Sequence, residues 1–160
     1  MKVILVRHAK SFYDWSKYPT DDVRPLADKG RIRQEAVTYG MKKKNLTFSL
    51  IWCSPYTRAI ETLEIIQRVY NTSLPVTTIN ELVPGGDEQN LLTLVREEAK
   101  IHPSATLLMV GHNPLLSSFL ELMSTNEGLE DMKTSDVALC EVTDSQARLL
   151  KFYPRKKLID

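Results

Sequence analysis

Side chains that carry or can take up a positive charge come at the ends of three apolar, strand-like runs of this sequence. They are Arg7, His8, Arg58 and His112. In an open α/β sheet, ligands bind beyond the carboxyl ends of the parallel strands, so these four side chains are expected to converge. Guanidinium groups match the oxygens of phosphate in a bidentate way. The pattern therefore predicts a site for a compact dianion, with phosphate as the natural candidate.

The residues beside these cations are typical of helix starts. Ser54 suits an N-cap and Pro55 the first helical position, which puts Arg58 about one turn into a helix. Asn113 and the proline after it repeat the arrangement directly after His112. Because free backbone N–H groups at a helix start favour anions, both segments agree with a phosphate site.

Each of these residues also has a structural interpretation. A single arginine after a strand is usually solvated or ion-paired, and a single histidine is more often structural than catalytic. Two of the three histidines of the chain nevertheless fall at strand ends beside arginines, which favours a common site. The third, His102, lies near a predicted helix end before Pro103, and we interpret it as a surface residue of the cap region without a functional role.

Strand-like and helix-like patterns alternate along the chain. Strands are predicted at residues 2–6, 49–53, 75–78, 106–110, 137–142 and 148–153. Helices are predicted at residues 28–44, 55–70, 87–101 and 114–123. Apolar residues recur at helical spacing in the first two helices, for example Ile32, Ala36, Val37 and Met41, and then Ile60, Leu63, Ile66 and Val69. The alternation predicts one α/β domain over residues 1–160, a three-layer α/β/α sandwich with a mostly parallel central sheet, helices on both faces and an antiparallel edge.

Composition narrows the class of protein. Hydrophobic residues make up 42% and charged residues 26% of the chain, as in an ordinary globular protein. The net charge of +1 provides no overall field for nucleic acid or an anionic membrane, so we expect neither as a partner. The apolar runs are too short to span a bilayer, and the first residues are typical of a strand rather than of a secretion signal. A monomer is expected, because no surplus apolar face is evident.

Cysteine and histidine residues do not have the spacing of a metal site in this sequence. Cys53 and Cys140 lie in apolar strand-like runs, which indicates buried free thiols in a reducing, cytoplasmic environment. Gly85 and Gly86 are not followed by the Lys-Ser/Thr pair that a nucleotide-binding P-loop requires. We therefore expect no cofactor and no metal ion, since the cations of the site would take the electrostatic place of magnesium.

Three segments resemble the motifs of the histidine phosphatase superfamily, which includes the phosphoglycerate-mutase-like enzymes. Residues 7–11 (Arg-His-Ala-Lys-Ser) are similar to the nucleophile motif of that family. Residues 54–62 (Ser-Pro-Tyr-Thr-Arg-Ala-Ile-Glu-Thr) are similar to its second arginine segment, and residues 111–114 (Gly-His-Asn-Pro) to its second histidine segment. Their order and spacing agree with the family over nearly the whole chain.

Within this family the chain most resembles the small SixA-type phosphohistidine phosphatases. Residues 9–11 (Ala-Lys-Ser) replace the glycine-containing form that is common in mutases. Residues 24–26 (Arg-Pro-Leu) followed by Gly30, and residues 81–87 (Glu-Leu-Val-Pro-Gly-Gly-Asp), are similar to segments of that subgroup. The chain also lacks the long insertions that cover the active site in larger members, which implies an open site.

The resemblance implies a role for each of the four residues that follow the strands. His8 is the nucleophile that forms a covalent phosphohistidine intermediate, while Arg7, Arg58 and His112 bind the phosphoryl oxygens. His8 must be neutral to attack phosphorus, and neighbouring cations should keep it so. His112 is expected to work best as an imidazolium. Because the two rings then need opposite protonation states, turnover should have a bell-shaped pH profile.

Three further residues each keep two interpretations. Glu81 matches by position the proton donor of the mutase-like members, or it is an exposed loop glutamate. Asn113 helps to bind substrate by orienting the second histidine, or it only caps the following helix. Arg24 adds a charge at the rim of the pocket, or it forms a structural ion pair with Asp21 or Asp22.

Three functions are compatible with these residues. The first is a metal-independent phosphatase that dephosphorylates phosphohistidine in proteins. The second is a phosphatase for a small metabolite, such as a sugar phosphate or a nucleotide, with the same catalytic residues. The third is a phosphate-binding module without activity that recognises phosphoproteins. The presence of His8 argues against the third function, because binding needs only the cations.

Overall fold

A computed structural model describes residues 1–123 and 131–160 of the chain, which form a six-stranded sheet between two layers of helices. The strands are β1 (Lys2–Arg7), β2 (Leu50–Cys53), β3 (Val76–Thr78), β4 (Thr106–Gly111), β5 (Val137–Val142) and β6 (Ala147–Tyr153). Their order in the sheet is β3-β2-β4-β1-β5-β6. The first four strands run parallel, whereas β5 pairs antiparallel with β1 and β6 pairs antiparallel with β5. The predicted fold class and the antiparallel edge are confirmed.

Five α-helices cover the sheet: α1 (Asp28–Lys43), α2 (Thr57–Tyr70), α3 (Glu88–Ile101), α4 (Leu115–Glu121) and α5 (Arg155–Ile159). Short 3₁₀ turns lie at Trp15–Lys17, Asp21–Val23 and Asn80–Leu82. None of the helices in the described residues is both long and apolar enough to cross a bilayer.

Alternate residues of the strands bury their side chains on opposite faces of the sheet. Val3 and Leu5 of β1 pack with α3 and α4, whereas Ile4 and Val6 pack with α1, α2 and α5. This period of two is what a strand buried on both faces requires. It explains why β1 and β4 are almost continuously apolar in sequence. The two apolar layers hold the sheet rigid underneath its carboxyl edge.

The strand register brings three carboxyl ends to the same level. Strand β4 lies between β1 and β2, where Gly111 pairs with Arg7 and Val110 pairs with Cys53. His8, Ser54 and His112 directly follow these strand ends. Residues that are far apart in sequence therefore leave the sheet side by side.

Two helix starts differ from the sequence prediction. Helix α2 begins at Thr57 with Tyr56 at the N-cap, rather than at Pro55 with Ser54 as its cap. The Tyr56 backbone N–H donates to Ser54 Oγ at 3.2 Å, so Ser54 closes a turn before the helix. Helix α4 begins one residue later than predicted, at Leu115.

The predicted inner faces of α1 and α2 need correction at their first positions. Ile32 is 71% exposed and Ile60 is 40% exposed, while Val37 and Leu63 are buried as predicted. Helical spacing identifies a face of the helix. Here the buried face is rotated away from these two residues: Gly30 and Gln34 are buried in α1, and Ala59 and Thr62 are buried in α2.

The carboxyl-terminal segment exposes Lys156 and Lys157 to solvent but is nevertheless packed on the domain. It forms α5, whose Leu158 is buried against α1. The helices approach so closely at Gly40 that a Cβ atom there would lie 1.9 Å from the backbone oxygen of Leu158. Glycine is therefore required at position 40, because the side chain of any other residue would collide with this backbone oxygen.

Both cysteines are free thiols buried in the sheet, as predicted. Burial raises the pKa of Cys53 and of Cys140 to about 12, so both thiols stay protonated at neutral pH.

We expect Gly40→Ala to lower the free energy of unfolding by about 1–3 kcal/mol, because the added methyl group must push α5 away from α1. Urea unfolding followed by circular dichroism measures the change. Gly85→Ala is the matched control, since no atom lies within 4 Å of a Cβ at that position. Equal stability of the two variants would contradict the close packing of α5.

Candidate active site

The ends of β1, β2 and β4 bring two histidine rings together. The His8 backbone N–H donates to the Gly111 carbonyl at 2.9 Å, which ties the end of β1 to the end of β4. The ring centroids of His8 and His112 lie 4.9 Å apart. Both side chains are buried, His8 with 6% and His112 with 1% of its surface exposed. The structure thus confirms that these two histidines converge.

The ring of His8 is held by a backbone carbonyl. Its Nδ1 lies 2.7 Å from the Ala9 carbonyl oxygen. Because a carbonyl only accepts, Nδ1 must carry the ring proton, which leaves Nε2 with a free lone pair when the ring is neutral. Nε2 is therefore the ring atom of His8 that is available to accept a hydrogen bond or to attack an electrophile.

The backbone at His8 is in turn anchored to α2. The Ala9 N–H donates to Thr62 Oγ1 at 3.0 Å, and the Thr62 hydroxyl donates to the Arg58 carbonyl at 2.7 Å. Thr62 is a buried polar residue on the inner face of α2. It fixes the turn after β1 relative to the helix that carries Arg58.

Burial keeps His8 neutral. The pKa of His8 is lowered to about 3, mainly by removal from water and also by the charges of Arg58, Arg7 and Arg24, against the opposing hydrogen bond to Ala9. The ring is therefore unprotonated at neutral pH. The ring is neutral as expected, but burial rather than the neighbouring cations is the main cause.

His112 is neutral as well in the free protein, and the imidazolium expected during catalysis stays a prediction. The pKa of His112 is lowered to about 2, mainly by burial and also by His8 and Arg58. Its Nε2 lies 2.8 Å from Ser54 Oγ. The Ser54 hydroxyl can donate to Nε2, which leaves the proton of the neutral ring on Nδ1. That Nδ1 is buried and has no hydrogen-bond partner among the described residues.

Arg58 enters the site from the first turn of α2 and is held by Asp21. Its Nη1 donates to the Asp21 carbonyl at 2.9 Å and its Nη2 to Asp21 Oδ2 at 3.0 Å. The guanidinium group lies 5.0 Å from the ring centroid of Tyr56, and the same ring lies edge-on to His112 at 5.0 Å. Arg58 Nε is buried without a partner among the residues described. Burial lowers the pKa of Arg58, but an arginine remains charged.

Arg7 is held from the other side. Its Nη1 donates to the Met132 carbonyl at 2.7 Å, and its Nε is buried with no partner in the described part of the chain. Burial lowers the pKa of Arg7, and the charge of Asp136 opposes that change. The site therefore contains two guanidinium groups and two neutral imidazoles.

Asp21 joins Arg58 to Arg24. Its Oδ1 accepts from Arg24 Nε at 3.1 Å and Nη2 at 3.0 Å, while Oδ2 accepts from Arg58. Burial acts to raise the pKa of Asp21, but the hydrogen bonds from the two arginines outweigh it and the pKa lies below its usual value. Arg24 also donates to Ser11 Oγ and to the Phe12 carbonyl. The predicted ion pair of Arg24 with Asp21 is thus present.

The structure places Asn113 beside the site but engages its amide elsewhere. Asn113 Oδ1 accepts from the Ser117 N–H at 3.2 Å and from its hydroxyl at 2.9 Å, and Nδ2 donates to the Met132 carbonyl at 2.8 Å. These contacts agree with the interpretation as a helix cap. The role of Asn113 in binding substrate stays a prediction.

Glu81 lies in the 3₁₀ turn before α3, with its side chain exposed. The next residue, Leu82, is buried within 3.5 Å of the Cβ position of Gly111, so the turn packs against the end of β4. No hydrogen bond or ion pair joins the Glu81 side chain to the histidines among the described residues. The turn is near the site, and the role of Glu81 as proton donor stays a prediction.

Sequence reasoning missed three contributions to this site. Ser54 binds His112 instead of capping α2, Met132 provides a carbonyl to Arg7, and Asp21 holds Arg58 as well as Arg24. Ser54 and Asp21 are polar residues within or beside the quoted motifs, which was a usable signal. Nothing in the sequence distinguishes the carbonyl of Met132 from any other.

We expect the free energy of unfolding to fall by about 2 kcal/mol for each buried histidine between pH 6.5 and pH 5. The unfolded chain takes up protons below its pKa near 6.5, whereas folded His8 and His112 do not until their pKa values of about 3 and about 2 are approached. Urea titrations at both pH values measure this loss. His112→Asn should remove about half of it and exposed His102→Asn none. An unchanged loss in His112→Asn would contradict the neutral ring.

Comparisons with known proteins agree with this geometry. Residues 3–83 match the profile of the histidine phosphatase superfamily (branch 1). The chain is 25% identical over 145 residues to the phosphohistidine phosphatase SixA of Escherichia coli K12, which covers 91% of this chain and 88% of that protein.

Solved structures share the fold. The protein histidine phosphatase SixA complexed with tungstate superposes with a TM-score of 0.89 at 23% identity, covering 99% of both chains. The alpha-ribazole phosphatase of Shigella flexneri superposes with a TM-score of 0.71 at 15% identity, covering 97% of both chains. The site motifs, the fold and the match over residues 3–83 together establish that this chain belongs to the histidine phosphatase superfamily, as a phosphatase.

Proposed function

We propose that this phosphatase removes phosphoryl groups from phosphohistidine in other proteins by way of a covalent intermediate on His8, without a metal ion. One observation carries the mechanism. The Nδ1–H of His8 is held by the Ala9 carbonyl and the ring is neutral, so Nε2 has a lone pair in a pocket of cations.

In the first step, His8 Nε2 forms a bond to phosphorus while the bond from phosphorus to the leaving nitrogen breaks. The leaving imidazole takes up a proton. In the second step, a water molecule attacks phosphorus, the bond to Nε2 breaks with its electron pair returning to His8, and inorganic phosphate leaves. Both steps require stabilisation of negative charge on the equatorial oxygens, which is the main requirement of phosphoryl transfer.

Arg7, Arg58 and His112 provide that stabilisation in this proposal. The guanidinium groups are charged, and each has a buried Nε that is unpartnered among the described residues. His112 presents its Nδ1–H as a further donor. A bound phosphoryl dianion raises the pKa of a neighbouring imidazole, so His112 takes up a proton with the substrate rather than before it. The bell-shaped pH profile then belongs to the enzyme–substrate complex.

Two observations favour phosphohistidine as the substrate. The relative with 25% identity is a phosphohistidine phosphatase. The P–N bond is labile and imidazole is easily protonated near neutral pH, so this leaving group needs little help from an acid. That requirement suits a site whose acid candidate, Glu81, has an exposed side chain. A phosphorylated small metabolite is the second candidate, because an alpha-ribazole phosphatase has the same fold.

Phosphate release tests the proposal directly. We expect the protein to release phosphate faster from a phosphohistidine protein than from a phosphoserine peptide or a panel of sugar phosphates and nucleotides, with EDTA present throughout. His8→Ala should lose at least about 10³-fold in kcat, as expected for a missing nucleophile, and His102→Ala should keep full activity. Rapid quenching with labelled substrate should leave acid-labile label on the wild type.

Other results would overturn parts of this proposal. Selective turnover of one metabolite would show that this metabolite, and not phosphohistidine, is the substrate. Loss of activity in EDTA that magnesium restores would contradict the metal-independent mechanism. No turnover of any substrate would favour a module that only binds phosphate.

We expect Glu81→Gln to slow the hydrolysis of phenyl phosphate by about 10²-fold and that of phosphohistidine much less, because phenolate is the leaving group that needs a proton from an acid. Steady-state kinetics on both substrates measure the difference. Glu64→Gln, a change at an exposed glutamate of α2, is the matched control. If Glu81→Gln and the control retain equal activity on both substrates, Glu81 is not the proton donor.

A further inference from the structure

A second group of cations lies beside Arg7. A cavity of about 160 Å³ opens between the segment before β5 and the start of α5, and Lys133, Arg155 and Lys156 line it. We call these three residues the second cation cluster. Lys133 and Lys156 are exposed, and Arg155 is half-buried. Because the whole chain has a net charge of only +1, this positive surface is a local feature.

A buried carboxylate fixes the cluster in place. Asp136 Oδ2 accepts from the Lys133 backbone N–H and Oδ1 from the Arg155 backbone N–H, both at 2.8 Å. The Asp136 carbonyl accepts from the Arg7 backbone N–H at 3.2 Å. Arg155 Nη1 also donates to the carbonyl of Thr134 at 3.1 Å and to its hydroxyl at 2.9 Å. The cluster is thus positioned relative to the strand that carries Arg7 and His8.

Met132 directly precedes Lys133 in the chain and contacts Arg7 of the candidate site. Its side chain is buried, and its carbonyl accepts from Arg7 Nη1 at 2.7 Å and from Asn113 Nδ2 at 2.8 Å. Burial is the main cause of the lowered pKa of Arg7, and the charge of Arg155 adds to it. The two positive regions are therefore close enough to influence each other.

The acids of the cavity do not neutralise the cluster. Two carboxylates line it, Asp131 and Asp136. The Asp136 carboxylate is committed to two backbone N–H groups. Three cations thus face two acids, and the two lysines extend towards solvent. Such a surface attracts an anionic group that arrives from outside.

We propose that the second cation cluster binds an acidic side chain of the protein that carries the phosphohistidine. The proposal rests on the proposed function and adds to it a preference for substrates. Because Lys133 and Lys156 are exposed, the cluster suits a second group on a protein surface rather than the phosphoryl group itself. Charges at the rim of an interface chiefly change the association rate and its salt dependence.

Two matched phosphohistidine peptides test this assignment. They share one sequence, but one has glutamates and the other glutamines on both sides of the phosphohistidine. The enzymes are the wild type, Lys133→Gln/Lys156→Gln, and the control Lys2→Gln/Lys44→Gln. The control removes the same charge at the opposite edge of the sheet, where β1 begins and α1 ends.

We expect the wild type and the control to prefer the acidic peptide by about five-fold in kcat/KM, as two surface ion pairs would give. The Lys133→Gln/Lys156→Gln enzyme should lose that preference and keep full activity on 4-nitrophenyl phosphate. Salt at 1 M, where the screening length is about 3 Å, should abolish the preference of the wild type.

The proposal is overturned if the ratio of kcat/KM on the acidic peptide to kcat/KM on the glutamine peptide is the same in all three enzymes. In that case, turnover of both peptides would still leave the proposed function intact. The Lys133→Gln/Lys156→Gln enzyme could instead lose about five-fold in kcat/KM on a carboxylated metabolite such as phosphoglycerate, with no change on either peptide. That result would assign the cluster to a small substrate and would also overturn the proposal. Turnover of 4-nitrophenyl phosphate but of neither peptide would contradict the proposed function itself.

Discussion

The site depends on holding the buried Arg58 and the half-buried Arg7 beside two buried imidazoles. A buried guanidinium group is costly unless acceptors meet its N–H groups. Asp21 meets Arg58, and the Met132 carbonyl meets Arg7. The arginines keep their charge under these conditions, whereas burial deprives the histidines of theirs. Positive charge and a nucleophilic lone pair therefore coexist within one small volume.

The register of the parallel sheet makes this arrangement possible. Because β4 lies between β1 and β2, the backbone at His112 continues from the central strand and the other strand ends flank it. The hydrogen bond from the His8 N–H to Gly111 extends the pairing one residue beyond the strands. His8, the proposed nucleophile, thus directly follows a paired strand, and the turn after it is anchored to α2 through Thr62.

Two aspartates organise the surroundings of the arginines on opposite sides. Asp21 joins Arg58 to Arg24, which in turn contacts the segment after the nucleophile. Asp136 joins the strand of Arg7 to the second cation cluster. Each carboxylate compensates buried positive charge and connects a catalytic element to a surface loop. In our proposals, the chemistry at His8 and the selection of a protein substrate share this framework.

The sequence by itself determined the strand and helix pattern, the fold class and the convergence of Arg7, His8, Arg58 and His112, because these depend on local periodicity and on where strands end. Only the tertiary structure decided that Ser54 binds His112, that Asp21 holds Arg58, that α5 packs on α1 and that His112 is neutral. Local propensity carries no information about such contacts, because they join residues far apart in the chain. The charge of a histidine likewise depends on how deeply the whole fold buries it.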